Sequence, residues 1–369
     1  MTKQKIFSGV QPSGDLHLGN YLGAISQWVE MQDKYESIFC VVDYHAITVQ
    51  QNPDELRKKI IEIAKIYIAS GIDTNKSVIF QQSSIREHTE LAWILNCTSA
   101  RMSDLNKMTQ FKDKAGIKRN IDNIKLYKAS REFSGSKEDK IMNRVGDAYV
   151  DELDDEIREK ENVGVGLYDY PVLMAADIIL YNTEVVPVGD DQLQHVELAR
   201  TLARRFNKKF GETFIIPRPE IRKEGARIMG LDDPTKKMSK SAKSEWNYIA
   251  LTDDPARARK KIMKAATDLK TIVRYDPEKK PGISNLLVIE SLLSKTSIKD
   301  LEKKYKGKMY GDFKKGVAEV VEKFLVEFQE RYNNISDDEV KNILARGAEK
   351  IRPIAEKTMT KVRKKIGVL

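Results

Sequence analysis

Apolar positions along this chain keep two alternating rhythms. Residues 5–10 form a short apolar run, and beyond a turn at 11–15 Leu18, Leu22, Ile25 and Val29 recur at helical spacing. That spacing predicts a strand, a loop and a helix. A second strand is expected over 38–42, then a helix opened by Pro53 and closed by Gly71, with Leu56, Ile60, Ile63 and Tyr67 on one face. Val78, Ile79 and Phe80 give a third strand; a helix over 170–181, a strand over 185–188 and a helix over 191–206 continue the alternation. The pattern predicts an α/β fold built on a doubly wound parallel sheet, whose ligands bind beyond the strands' carboxyl ends.

From about residue 253 the pattern becomes almost entirely helical, marked by Leu287, Leu301, Phe313, Phe324, Phe328 and Leu344. With 369 residues, more than one ordinary core accommodates, the expected domains are 1–252, 253–345 and a final basic helix over 346–369. Residues 115–163 interrupt the first domain. They begin rich in Asn and Lys and continue with Ile141, Val145, Tyr149, Leu153 and Ile157 at helical spacing in an acidic run. A charged helical hairpin is expected there, with Ser136 capping its second helix and Asp139 three residues on.

Lys and Arg number 64 against 55 Asp and Glu, and a net charge of +9 favours an anionic partner such as nucleic acid or nucleotide. The final helix, ending in Arg363, Lys364 and Lys365, could touch RNA or pack on the sheet domain. Cys40 and Cys97 are the only cysteines, too few for a disulfide framework or a thiolate metal site, so both are expected as small core residues and no structural metal is expected. No apolar run approaches membrane-span length and no signal-peptide pattern opens the chain, which predicts a soluble, cytoplasmic protein.

Two stretches carry the chemistry. The first, Phe7 to Asn20, is a strand, a loop with Gln11, Pro12, Ser13 and Gly14, and a helix start with His17, Gly19 and Asn20. A helix N-terminus approached closely by backbone is suited to a triphosphate. Gln11, Ser13, His17 and Asn20 add donors. The second, Lys237-Met238-Ser239-Lys240-Ser241, lies over 200 residues downstream, and its lysines can neutralise charge that builds on a departing pyrophosphate. Positioning and electrostatics suffice for such a transfer without a covalent nucleophile. Either stretch alone is weak; a lysine-rich loop is ordinarily solvated. Met238 is expected to anchor the loop.

Together the two stretches resemble the split ATP site of a class I aminoacyl-tRNA synthetase. With them, His45 to Thr48, Met108 to Lys112, Tyr170 to Asp177, Pro187 to Gln192, Ala226 to Met229 and Pro281 to Asn285 resemble the bacterial tryptophanyl-tRNA synthetases along nearly the whole chain. The resemblance implies a Rossmann-like catalytic domain and a helical anticodon-recognition domain. It implies that Gln11, Pro12, Ser13, Gly19, Asn20, Gly189, Asp190, Asp191, Ile228 and Lys237 to Ser241 contact ATP, and that Asp177 receives the indole N–H of tryptophan. Phe7 and Met174 would flank the indole, Tyr170 and His45 would line the pocket, and Gln192 would hold the ammonium. Mg²⁺ would accompany ATP, and the partners implied are tRNA(Trp) and a second copy of the chain.

The residues themselves support the assignment of Asp177. Tyr170, Met174, Asp177 and Tyr181 share one helix face, so a lone carboxylate is expected among apolar neighbours. Burying it unpaired costs on the order of several kcal/mol, so a protein cation or a ligand donor must compensate. An acceptor aimed at an N–H discriminates against side chains lacking one, by roughly 10⁴ to 10⁵ at comparable sites. At the junction 189–192, Asp190 or Asp191 could equally cap a helix. His88 and His195 are expected to be structural.

Two departures from the family pattern stand out. Asn20 replaces the histidine common at that position across class I, which shifts phosphate contacts toward backbone, His17 and Asn20. The insertion 115–163 replaces a segment expected to be much shorter. A tyrosyl-tRNA synthetase, a nucleotidyltransferase without tRNA and a non-catalytic tryptophan- or tRNA-binding paralogue are the alternatives. The intact lysine motif and Asp177 weigh against the last two. Lys303, Lys304 and Lys306 are candidates for tRNA phosphate contacts.

Overall fold

The structure, a computed structural model, describes residues 3–108, 164–189, 192–221, 227–240, 242 and 244–368. The expected hairpin within 115–163, and Asp190, Asp191 and Ser241, lie outside them.

Five parallel strands, β1 (Lys5–Val10), β2 (Glu36–Val41), β3 (Ser77–Gln81), β4 (Val185–Val188) and β5 (Arg218–Ile221), lie in the order β3-β2-β1-β4-β5. The chain builds outward from β1 in one direction, then returns to its other side for β4 and β5. The strand order therefore reverses between β1 and β4, where the carboxyl ends splay apart and leave a crevice.

After β1 come α1 (Leu18–Asn20), a π-helical turn over Tyr21–Ile25, and α2 (Ser26–Met31). A short α3 (Asp43–Ala46) follows β2. Next comes α4 (Pro53–Ala69), where Asn52 accepts from the backbone N–H groups of Asp54 and Glu55 and Pro53 occupies the first turn. Gly71, at φ +105°, takes the chain off that helix in a conformation other residues rarely adopt. β3 leads to α5 (Glu87–Thr98) and α6 (Met102–Leu105).

The next helix, α7 (Val165–Ile179), starts earlier than its sequence suggests and carries Pro171 inside. The proline removes a single backbone hydrogen bond, which the buried helix tolerates. α8 (Leu193–Phe210) ends at Gly211. From residue 255 onward the regular elements among the described residues are helices: α9 (Pro255–Lys264), α10 (Pro281–Ser294), α11 (Ile298–Lys304), α12 (Tyr310–Asn333) and α13 (Asp337–Ile366).

The last helix runs unbroken across the 345/346 boundary drawn from sequence. Its amphipathic pattern persists because Pro353 falls on an exposed position of a helix supported along its length by the sheet domain. Ala348, Ile351, Ala355, Met359 and Val362 pack into the core that contains Phe7, Phe80 and Ile179. Gly347 lies so close to β3 that an added Cβ would stand 1.8 Å from the Ile79 carbonyl oxygen. Arg363 forks onto the Glu90 carboxylate of α5. Lys365 Nζ donates to the Phe210 and Glu212 carbonyls, so Arg363 and Lys365 of the basic end bind the sheet domain.

A second cluster joins Ile6, Phe39 and Tyr67 to Phe328, Val340 and Leu344, and a third joins Leu18 and Leu22 to Met238, Ile262 and Leu286. Helices after residue 255 therefore share cores with the first signature. Cys40 is buried as expected, whereas Cys97 is exposed, because it falls on the outer face of α5, one turn beyond the exposed Trp93.

Candidate active site

The two signatures meet at the carboxyl end of β1. Leu18 N–H donates to the Ile249 carbonyl (2.8 Å) and Leu251 N–H to the Leu16 carbonyl (3.0 Å), so the chain that follows the lysine loop forms a bridge with the first helix entry. Within the second signature Met229 and Lys237 pair antiparallel, and Met238 N–H donates to the Ile228 carbonyl (3.0 Å). Met238 and Ile228 are each 1% exposed, and Met238 packs with Leu18 and Leu22. Asn247 accepts from Ser239 N–H (2.9 Å). Asn285 clamps the Met229 peptide, accepting from its N–H (2.8 Å) and donating to its carbonyl (2.9 Å). The stretch 281–285 thus braces the lysine loop from behind.

His17 and Asn20 cap the helix reciprocally: Asn20 Oδ1 accepts from His17 N–H (3.0 Å) and His17 Nδ1 accepts from Asn20 N–H (3.3 Å). Gly19 is required by this arrangement, since a Cβ there would stand 2.9 Å from His17 Nδ1. Burial, with the Lys237 charge second, pulls His17 down to about 4. A neutral ring whose Nδ1 accepts keeps its proton on Nε2, leaving one donor. Lys240 Nζ reaches Asp15 Oδ2 (2.8 Å) and lies against Gly14, which has φ +79°. Lys59 holds the other oxygen of Asp15.

A cavity of about 350 Å³ opens at the crevice between β1 and β4. Phe7, His45, Tyr170, Met174, Asp177 and Gln192 all line it, with Gln11 and Gly189 at its border to the first signature. Gln11 Nε2 donates to the His45 carbonyl (2.9 Å), tying the phosphate-side loop to the cavity wall. Tyr170 is hydrogen-bonded to His195 Nε2 (2.9 Å), and burial raises its hydroxyl to about 12.

Asp177 is not the lone carboxylate that helix periodicity suggests. Its Oδ1 accepts from Gln82 Nε2 (2.7 Å) and lies 2.6 Å from His88 Nδ1; its Oδ2 lies 2.8 Å from His45 Nε2. The acid is 1% exposed, and Gln82 and His88 are fully buried. Burial alone would raise its pKa, but His88 and His45, by charge and hydrogen bond, hold it well below the usual carboxylate range. The face shared with Tyr181 looks apolar only along its own helix; Gln82 and His88 arrive from β3 and α5. His88, expected to be structural, therefore touches the central carboxylate.

A buried anion with one side to an aromatic-walled cavity, beside a helix N-terminus and two lysines, can read a donor on a planar side chain while a triphosphate is held next to it. A family model described as tRNA synthetases class I (W and Y) matches residues 1–129 and 140–326. The chain belongs to that family. The Tryptophan–tRNA ligase of Caldanaerobacter subterraneus subsp. tengcongensis is 46% identical over 366 residues, covering 99% of each chain. That of Helicobacter pylori strain 26695 is 46% identical over 369 residues, covering all of both. Among solved structures, tryptophanyl-tRNA synthetase from Mycoplasma pneumoniae superposes with a TM-score of 0.83 at 32% identity, covering 100% of this chain and 98% of that one. The Campylobacter jejuni enzyme, solved with ADP and tryptophane, gives 0.72 at 34%, covering 99% and 100%.

Within this class I synthetase the family match runs through 115–129 and 140–163 and breaks only at 130–139, so most of the segment expected as an insertion belongs to the family's own length. Sequence reasoning missed Gln82, Tyr181's hydroxyl and the brace by Asn285. Gln82 had a positional signal, since it directly follows the carboxyl end of β3 as His45 follows that of β2. Of the lysines proposed for RNA, Lys303 pairs with Asp300 (3.1 Å) and Lys304 with the fully buried Glu290 (2.8 Å).

Proposed function

We propose that the chain is a tryptophan–tRNA ligase that activates L-tryptophan with Mg·ATP and transfers it to tRNA(Trp). The observation that carries this reading is the cavity at the β1/β4 crevice, in which an anionic Asp177 is set among Phe7, Tyr170 and Met174 beside the joined signatures. Tryptophan's carboxylate attacks the α-phosphorus of ATP to give tryptophanyl-adenylate and pyrophosphate. The 2′-hydroxyl of the terminal adenosine of tRNA then attacks the adenylate's carbonyl, forming the aminoacyl ester as the anhydride bond breaks and AMP leaves.

Gln11, Pro12, Ser13, Gly19, Asn20, Gly189, Asp190, Asp191 and Ile228 surround ATP in this reading. Lys237 and Lys240 act on the leaving pyrophosphate and Asp177 accepts the indole N–H. His45 and Gln192 complete the amino-acid side. In this reading the chain is catalytic to 252 and anticodon-reading over 253–345, with 346–369, the distal part of α13, returning to the catalytic domain. The enzyme works in the cytoplasm as a homodimer.

Identities of 46% to tryptophan–tRNA ligases over the whole chain support tryptophan over tyrosine. No described helix is long and apolar enough to cross a membrane. ATP–pyrophosphate exchange with each amino acid, followed by aminoacylation of total tRNA, tests the reading. Exchange with tryptophan well above tyrosine is expected. A faster rate with tyrosine would refute it, as would tryptophan binding without exchange.

A further inference from the structure

Both oxygens of Asp177 are contacted from within the protein, and unequally. Oδ1 has two donors, the Gln82 amide and the His88 ring, as many as its two lone pairs. Oδ2 accepts from His45 alone among the described residues. The His88 ring is fixed on its far side by Tyr181, whose hydroxyl lies 2.7 Å from Nε2. Facing a carboxylate oxygen that can only accept, Nδ1 carries a ring proton and donates it to Asp177. Tyr181 is itself stacked on Phe7 (5.8 Å) and set edge-on to Phe80 (5.7 Å), so neither ring can turn without opening the core.

We infer that His88, held by Tyr181 and assisted by Gln82, is a positioning residue that fixes the Asp177 carboxylate so that Oδ2 presents one remaining acceptor to the substrate's ring N–H. The inference rests on the tryptophan-activating reading of the cavity. Asp177 then selects for an N–H because His88 prevents it from rotating or taking up a proton. The low pKa direction of Asp177 agrees, since an ionised carboxylate can only accept.

The test is pyrophosphate exchange with tryptophan and with β-(3-benzothienyl)alanine, in which sulfur replaces the ring N–H, for wild type, His88→Leu, His88→Asn and Tyr181→Phe. His88→Leu should raise the tryptophan KM roughly ten- to a hundredfold, the range for a hydrogen bond to a charge, with the ATP KM changed less than about twofold. The preference in kcat/KM for tryptophan over the sulfur analogue should narrow by a similar factor. His88→Asn, which places an amide N–H where Nδ1 stood, should restore most of it. Tyr181→Phe should narrow it by about two- to tenfold, and decides the matter if His88→Leu fails to fold. An unchanged preference in these variants, while wild type activates tryptophan, overturns the inference alone. Absence of tryptophan activation in wild type overturns the functional reading beneath it.

Discussion

Replacing Lys240 by alanine separates a catalytic from a structural role, because the structure limits what the side chain contributes to folding. Its ammonium meets Asp15 at 2.8 Å, with side chains 44% and 35% exposed. A pair so open to solvent contributes about 0.2–1 kcal/mol. Asp15 also keeps Lys59, so no buried charge is stranded by the change. The melting temperature should therefore fall by no more than about 3 °C. Turnover should respond on another scale. A preorganised donor aimed at charge that develops in the transition state is worth about 10² to 10³ in kcat, or roughly 3–4 kcal/mol. The tryptophan KM should stay near wild type, since Asp177 and its partners lie in a cavity that Lys240 does not line. Pyrophosphate exchange over a tryptophan series, with a thermal melt on the same preparation, measures all three. A kcat within about threefold of wild type, or a tryptophan KM rising as far as kcat falls, would refute the division of labour.

Three further outcomes follow from single contacts. Asp177→Asn keeps an oxygen for Gln82 and His88 but turns an N–H₂ toward His45 and the cavity, so the tryptophan KM should rise at least about tenfold with the ATP KM nearly unchanged; equal losses in both would contradict the assignment. His17 has its folded pKa lowered from 6.5 to about 4, so the unfolded chain binds more protons in that window and stability falls as pH drops from 6.5 toward 4, by roughly 3 kcal/mol in all. Urea melts should show that slope flattened in His17→Asn, which retains a cap acceptor; the same slope in both proteins would assign the loss elsewhere. Gly347→Ala should destabilise the protein by about 1–3 kcal/mol or more, because its Cβ would meet the Ile79 carbonyl oxygen, and an unshifted denaturation midpoint would disprove the tight seating of α13 on β3.

Elements whose determinants are local were legible in the sequence. β1, β4 and α4 follow their apolar runs and the Pro53 start to within two residues, and the doubly wound order follows from their alternation. The six side chains that periodicity and family likeness assigned to the amino acid line one cavity for a simple reason. Phe7 lies on β1, His45 and Gln192 follow the carboxyl ends of β2 and β4, and Tyr170, Met174 and Asp177 lie on successive turns of α7, positions that a parallel sheet brings together. Where a helix was misjudged, the deciding force was tertiary. α7 runs through Pro171 because burial on both sides outweighs one lost hydrogen bond, and α13 is a single helix because the sheet domain supplies a partner for its apolar stripe along its whole length.

The polar environment of Asp177 belongs to a different class of information. Helix periodicity reports which residues share a face of α7, and on that face the acid has apolar company; it is silent about what stands opposite. His45, Gln82 and His88 come from three other segments, at 132, 95 and 89 residues' separation, and each would be an unremarkable core or loop residue in isolation. Yet the requirement they satisfy could be stated beforehand, because a carboxylate 1% exposed must be compensated. The compensation comes from two histidines and an amide within the protein, with no Lys or Arg against the carboxylate among the described contacts. Donors of the histidine and amide kind stabilise the anion while leaving an oxygen able to take one hydrogen bond more, and that is the property a site reading a single ring N–H requires.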